Sequence, residues 1–241
     1  MHYKEQCYHG LTVMKGDNHM RIVRLSILSF LFLAAISYAH VVNATSSDRN
    51  VLWDVVSHCL DSGSSLYCED CRWPIAGSVC ACLNTTEMWE KSDDYVVIRD
   101  HKMCGCPTGF VHGLALPLRR VSGVEAEDRP VGIWRFAWEV AEKRLKASEI
   151  ALVVNEKTCR SQDQLHVHIV KLNGEGHKSF MDKNAAVVTN LDQVWSKAEE
   201  LAKTAEMKNY SILVKLGEMG FVVVVDDSCL EKRYTEYACD R

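Results

Sequence analysis

Gln164, His166 and His168 are the side chains of this sequence whose types and spacing can do chemistry. They sit in the run Gln164-Leu-His166-Val-His168-Ile, polar and apolar by turns. On a β-strand that period of two puts the amide and both imidazoles on one face, with Leu165, Val167 and Ile169 on the other. An ordinary half-buried strand shows Lys, Thr or Glu on its wet face, so two neighbouring imidazoles are a distinctive choice. Just upstream, Arg160, Ser161 and Gln162 can supply donors to an anion, and a guanidinium matches phosphate geometry. Together they point to phosphate chemistry. Two bland readings compete, namely surface histidines without a role or a pair of zinc ligands. Against the second, Ile169, Val170, Lys171 and Leu172 follow His168, so no carboxylate stands at ligand spacing.

The elements that must position these residues can be read on either side. Gln164–Leu172 is a strand, and Ile150–Val154 pairs with it as a hairpin-like neighbour. Tyr95–Arg99 and Phe110–Pro117 are two further strands, joined by a turn at Cys104-Gly-Cys106-Pro107. Pro130 to Ala147 has helical spacing in Ile133, Phe136, Ala137, Val140 and Leu145, with Asp128 as its cap and Trp134 and Trp138 as core. Leu191 to Met207 reads as a second helix with Leu191, Val194, Trp195, Ala198, Leu201 and Ala205 inward. Ser211–Leu216 and Phe221–Val225 form a hairpin around Gly217-Glu-Met-Gly220. A short helix at Asn50–Leu60 is capped from Ser46, Ser47 or Asp48, residues 61–94 read as loop, and the tail from Cys229 to Cys239 is tied down by its cysteines. The fold class is α+β, an antiparallel sheet with helices on one side and disulfide-stapled loops.

The order of segments adds to the strand motif. Tyr95-Val-Val-Ile-Arg-Asp is followed by Gly113-Leu-Ala-Leu-Pro117-Leu-Arg-Arg120-Val-Ser-Gly123-Val-Glu125, then Ile150-Ala-Leu-Val-Val-Asn155, Arg160-Ser-Gln and the two histidines. Over Leu52 to Leu172 this succession resembles the bacterial CDP-diacylglycerol pyrophosphatases, a branch of the histidine triad (HIT) superfamily. The superfamily's motif, His-φ-His-φ-His-φ-φ with φ apolar, falls on Gln164, His166 and His168, with Gln in the first place. The resemblance implies a HIT-like sheet and hydrolysis of CDP-diacylglycerol to CMP and phosphatidate. It makes His166 the nucleophile of a covalent phosphoryl-histidine intermediate. His168 and Gln164 would donate to phosphoryl oxygens or the leaving group, and Arg160, Ser161 and Gln162 would hold the phosphates. Asn155 would take the ribose hydroxyls. The scheme calls for no cofactor and no metal. His166 can attack through one nitrogen only, so an acceptor must hold the other, and a backbone carbonyl near the preceding strand is the candidate.

Composition sets the surroundings. A net charge of −4 and the lack of a basic, aromatic-studded stripe argue against a nucleic-acid partner. Positive charge at Arg21 and Arg24 precedes the apolar run Leu25–Ala39, which suits a signal-peptide core or, extended through Val42, an uncleaved anchor. Residues 1–45 are therefore a signal sequence or anchor and 46–241 the hydrolase domain, placed at a bacterial inner membrane with the catalytic domain in the periplasm, or secreted if the leader is cleaved. Ten of the 11 cysteines follow the apolar run, an even number that reads as disulfides in an exported domain. Cys59 with Cys68 is the first pair expected. A zinc site built from Cys68, Cys71, Cys80, Cys82, Cys104 and Cys106 is the alternative, and Cys-x-Cys fits zinc spacing poorly. Partners are the lipid nucleotide and the membrane, and a homodimer is allowed. A soluble nucleotide hydrolase or transferase, or an exported metal-binding module, are the rival functions.

Overall fold

The computed structural model describes residues 49–58, 60, 87–178, 180 and 184–239. The leader, the caps Ser46–Asp48 and the pair Cys59–Cys68 lie outside the described residues. These described residues belong to one compact unit. Its strands are β1 (Met88–Lys91), β2 (Tyr95–Arg99), β3 (His112–Pro117), β4 (Ile150–Val154), β5 (Val167–Lys171), β6 (Ala185–Val188), β7 (Ser211–Gly217) and β8 (Gly220–Asp226). They form one sheet in the order β1-β2-β3-β5-β4-β7-β8-β6, antiparallel at every pairing. The helices are α1 (Val51–His58), α2 (Ile133–Glu142), α3 (Val194–Thr204) and α4 (Leu230–Tyr234). Among the described residues no helix is long and apolar enough to cross a membrane.

Strand alternation sorts the side chains between two covers. Val97, Ala115, Leu152, Val154, Val167, Ile169, Ile212, Val214, Val223 and Val225 project to one face, where α2 and α3 bury them. Trp134 and Trp195 meet edge to face at 5.0 Å, and the indole N–H of Trp195 donates to the Pro130 carbonyl at 2.9 Å. Such contacts add to the several kcal/mol that each buried aromatic contributes. The other face is covered too, which departs from the one-sided expectation. Val55 and Val56 of α1 pack on Val96, Ile98, Leu114 and Leu116, while Leu230 and Tyr234 of α4 pack on Val153, Val170 and Leu213. Two covers explain why β3 and β4 are buried along their whole length.

Several boundaries differ from expectation. The sequence around Gln164 alternates like a strand, yet ladder pairing begins only at Val167. Gln164 lies in the approach to β5, where the Leu165 N–H bonds the Val121 carbonyl at 2.7 Å. Met88–Lys91, read as loop, pairs with β2 as the edge strand. The helix expected from Pro130 begins at Ile133, and Asp128 is paired with Arg119 instead of capping it. Gly113 leaves room for the Trp89 ring, which packs over it in the space a Cβ would take.

The tail is fastened as expected, and by more than cysteines. Cys159 is bonded to Cys229 and Cys106 to Cys239, which removes Cys106 from any zinc set. Leu172 bridges to Thr235, and the Glu236 N–H bonds the Lys171 carbonyl at 2.8 Å. The Cys159–Cys229 link closes a separation of 70 residues, for which chain entropy gives about 4 kcal/mol. We expect Cys159→Ser/Cys229→Ser to lower the stability of a purified 46–241 domain by about 2–5 kcal/mol in urea titration. An unchanged midpoint would show that the link is dispensable.

Candidate active site

His166 stands one residue before β5, with its ring on the face opposite the α2–α3 core. Its Nδ1 is 2.7 Å from the carbonyl oxygen of Gln164. A carbonyl only accepts, so Nδ1 carries the proton and Nε2 keeps the lone pair. The acceptor is a backbone carbonyl, but it lies two residues upstream in the same segment rather than near the preceding strand.

The Gln164 side chain does something else. Its Oε1 accepts from the Val121 N–H at 3.2 Å, and its Nε2 donates to the carbonyls of Pro117 and Arg119 at 3.1 and 2.9 Å. Both amide protons are consumed and the residue is 2% exposed. Gln164 therefore fixes the loop after β3 to the approach of β5, and does not present donors to a phosphate as expected.

Behind His166 lies a buried polar network. Register puts His168 opposite both Leu114 of β3 and Val153 of β4, so its ring shares a face with His112 two residues before Leu114. His112 Nε2 and His168 Nδ1 are 3.0 Å apart. The His168 ring stands edge-on to that of His166, with centroids 4.7 Å apart. Five further residues close the network. Glu231, from α4, reaches Lys102 Nζ at 2.7 Å, Asn155 Nδ2 at 2.6 Å, His112 Nε2 at 3.3 Å and His168 Nε2 at 3.4 Å. Asp100 accepts from the Lys102 backbone N–H at 2.9 Å, lies 2.9 Å from His101 Nδ1, and sets its other oxygen 3.4 Å from His112 Nε2.

The sequence reading missed His112, Asp100, Lys102 and Glu231. His112 had a signal in its parity with Leu114 and Leu116 on a recognised strand. Glu231 had only its nearness to Cys229.

Asp100, His112 and His168 each bring one ligand atom within 4.8 Å of the others, a set a cation could use. The donors argue for hydrogen bonding instead. His112 Nδ1 has no partner among the described residues, so the ring's single proton belongs on Nε2, where three acceptors face it. Lys102 already supplies positive charge to Glu231.

The expected phosphate holders are scattered. Arg160 is buried and bidentate to Glu125 at 2.8 and 2.5 Å, with Ser122 and Asp163 as further acceptors. It locks the loop rather than offering a free guanidinium. Gln162 Oε1 accepts from the Leu52 N–H at 3.0 Å and so caps α1. Ser161 is exposed at the loop surface. Asn155 is inside the network, its Nδ2 on Glu231 and 3.3 Å from His168 Nε2, while its buried Oδ1 has no partner among the described residues.

Burial pushes the rings of His112, His166 and His168 below the ordinary histidine range, His168 furthest. For His166 the Gln164 carbonyl, Glu231 and Asp100 oppose that shift, and Arg160 adds to it. Burial also resists the charge on Asp100, but His112, His101 and Lys102 outweigh it and hold the carboxyl far below its usual range.

Residues 47–214 match the family model described as CDP-diacylglycerol pyrophosphatase. Among curated proteins none matches the chain.

Three imidazoles kept neutral by burial make the unfolded chain the better proton binder below its histidine pKa of about 6.5. Stability therefore falls as pH drops through that value, and Asp100 extends the loss below about pH 4. Denaturant titrations from pH 8 to 5 check this, and a midpoint that holds constant would contradict neutral buried rings.

Proposed function

The chain belongs to the CDP-diacylglycerol pyrophosphatase family, and from that premise we propose that His166 is the nucleophile of its reaction. The enzyme is a hydrolase that splits the pyrophosphate bond of CDP-diacylglycerol, yielding CMP and phosphatidate in phospholipid metabolism. The observation that carries the assignment is the bond from His166 Nδ1 to the Gln164 carbonyl, which leaves Nε2 as a lone pair. A ring held below its ordinary pKa keeps that pair available at and below neutral pH.

In the first step Nε2 forms a bond to phosphorus and the bridging P–O bond breaks, its electron pair departing on the oxygen of a phosphate monoester. Such a monoester has a second pKa of about 6, so it leaves as an anion without help from an acid. That fits His168, whose two nitrogens are directed to His112, Asn155 and Glu231 rather than outward. His168 braces the nucleophile edge-on. In the second step water attacks the same phosphorus, the P–N pair returns to Nε2, and the water proton passes to the phosphate product or solvent. While phosphorylated, the His166 ring carries positive charge, which the Gln164 carbonyl stabilises with the fields of Glu231 and Asp100. The free Oδ1 of Asn155 is an acceptor for a ribose hydroxyl. Ser161 and its backbone neighbours are the surface-facing donors for non-bridging oxygens.

His166→Ala is expected to abolish CMP release from CDP-diacylglycerol in detergent micelles, by at least about a thousandfold. His168→Ala should cost about a hundredfold or less, as loss of positioning does. A denaturing quench at alkaline pH, where the P–N bond survives, should trap an adduct on His166, and its mass identifies the phosphorus attacked. A His166→Ala enzyme with full activity would remove the nucleophile assignment.

We further propose that the apolar run Leu25–Ala39 holds the domain at the periplasmic face of a bacterial inner membrane. A diacyl substrate stays in the bilayer, and the two disulfides suit an oxidising compartment. The full chain should then sediment with membranes after a carbonate wash, and a chain lacking residues 1–45 should not. Equal partition of the two would count against an anchor.

A further inference from the structure

The family match ends at residue 214, yet the carboxylate with the most contacts in the site stands beyond it. Glu231 is 6% exposed and touches Lys102, Asn155, His112 and His168, residues from four separate segments. We propose that Glu231 is the positioning residue of this site, setting the tautomer of His168 and the orientation of the Asn155 amide, so that the C-terminal segment 229–239 is part of the working enzyme.

The proposal rests on the nucleotide-lipid reading of the site given above, and follows from which atoms can donate. A carboxylate only accepts. With Glu231 Oε2 at 2.6 Å, the Asn155 amide must turn its NH2 toward α4, and this leaves Oδ1 as the acceptor without a partner. The unpartnered Nδ1 of His112 puts that ring's proton on Nε2, so His168 Nδ1 accepts it at 3.0 Å and His168 keeps its own proton on Nε2, with the Glu231 carboxylate 3.4 Å away favouring it there. Asn155 Nδ2 and His168 Nε2, 3.3 Å apart, then both direct protons at the one carboxylate, which holds the two donors together. Lys102 balances the carboxylate at 2.7 Å.

The covalent anchoring of α4 makes sense on this view. Cys229, two residues before Glu231, is bonded to Cys159, four residues after Asn155. Thr235 closes the other end of the turn, its N–H and hydroxyl both donating to the Glu231 carbonyl at 3.2 and 2.6 Å. Leu230 and Tyr234 of the same helix pack into the apolar cluster of Val153, Val170 and Leu213 and hold α4 against the sheet.

Glu231→Gln is the decisive variant, because it keeps the volume and replaces one acceptor by a donor. If Oε1 stays on Lys102, the new NH2 faces Asn155 and His168, and both must turn over. Long-range proton–nitrogen NMR on histidine rings reads this directly and needs no substrate. In wild type His168 should be protonated at Nε2, and in E231Q at Nδ1. With CDP-diacylglycerol we expect kcat to fall at least about tenfold, as a wrong tautomer does, and KM to rise through the misplaced Asn155.

The acid limb of the rate profile should also move to lower pH. His166 is faced by Glu231 and Asp100, which favour its charged form, and by Arg160, which opposes it. His168 is kept neutral, and Gln164 offers only its carbonyl. Removing the Glu231 charge therefore leaves His166 unprotonated to lower pH.

A folded E231Q with wild-type tautomer, kcat, KM and pH limb overturns the proposal. Should E231Q not fold, Glu231→Asp keeps the charge but shortens the reach, and a folded E231D with unchanged kcat and KM overturns it equally. Tautomers that switch as expected while wild type releases no CMP would uphold the positioning role and reject the substrate reading instead.

Discussion

The hydrogen bond from His166 Nδ1 to the Gln164 carbonyl depends on that carbonyl being free, and a regular ladder would not leave it free. Within a sheet interior, backbone carbonyls are taken up by the neighbouring strand. Here pairing with β3 and β4 begins at Val167 and Val153↔His168, so Gln164 to His166 approach the sheet without joining it. The approach is held instead by the Leu165 N–H on Val121 and by the Gln164 amide on Pro117, Arg119 and Val121. Those bonds replace the ladder, and they do so from the side chain and the loop. The free carbonyl then accepts from His166 Nδ1.

Much of the framework was legible because alternation and helical period report burial against a flat or curved surface. The β4–β5 hairpin, the β7–β8 hairpin and the stripe of α3 all follow from that. The two-residue spacing of His166 and His168 correctly placed both rings opposite Leu165, Val167 and Ile169. It could not show where the ladder starts, since alternation continues through Gln164 whether or not a partner strand is present. Edge strands β1 and β6 were hidden for a related reason. They are short and partly exposed, so they bury too little for a pattern to form.

The site itself was half legible. Local spacing brings Gln164, His166 and His168 together, but Asp100, His112 and Glu231 reach the same point from β2, β3 and the tail, separated from His168 by sheet topology. Arg160 and Gln162 illustrate the converse. Their chemistry suits phosphate, yet Glu125 and the start of α1 lie closer in space than any pocket, and a buried guanidinium goes to the carboxylate it can reach.

Glutamine at position 164 is intelligible on these contacts. The position faces two carbonyls and one N–H, and a glutamine amide offers two donors and one acceptor, matching all three. A neutral imidazole offers one of each and would leave a buried carbonyl without a donor, a cost of about 1–3 kcal/mol. What His166 takes from residue 164 is its backbone oxygen, which every residue carries. The side chain is thus free to serve the loop, and glutamine at this position leaves the contact that orients His166 intact.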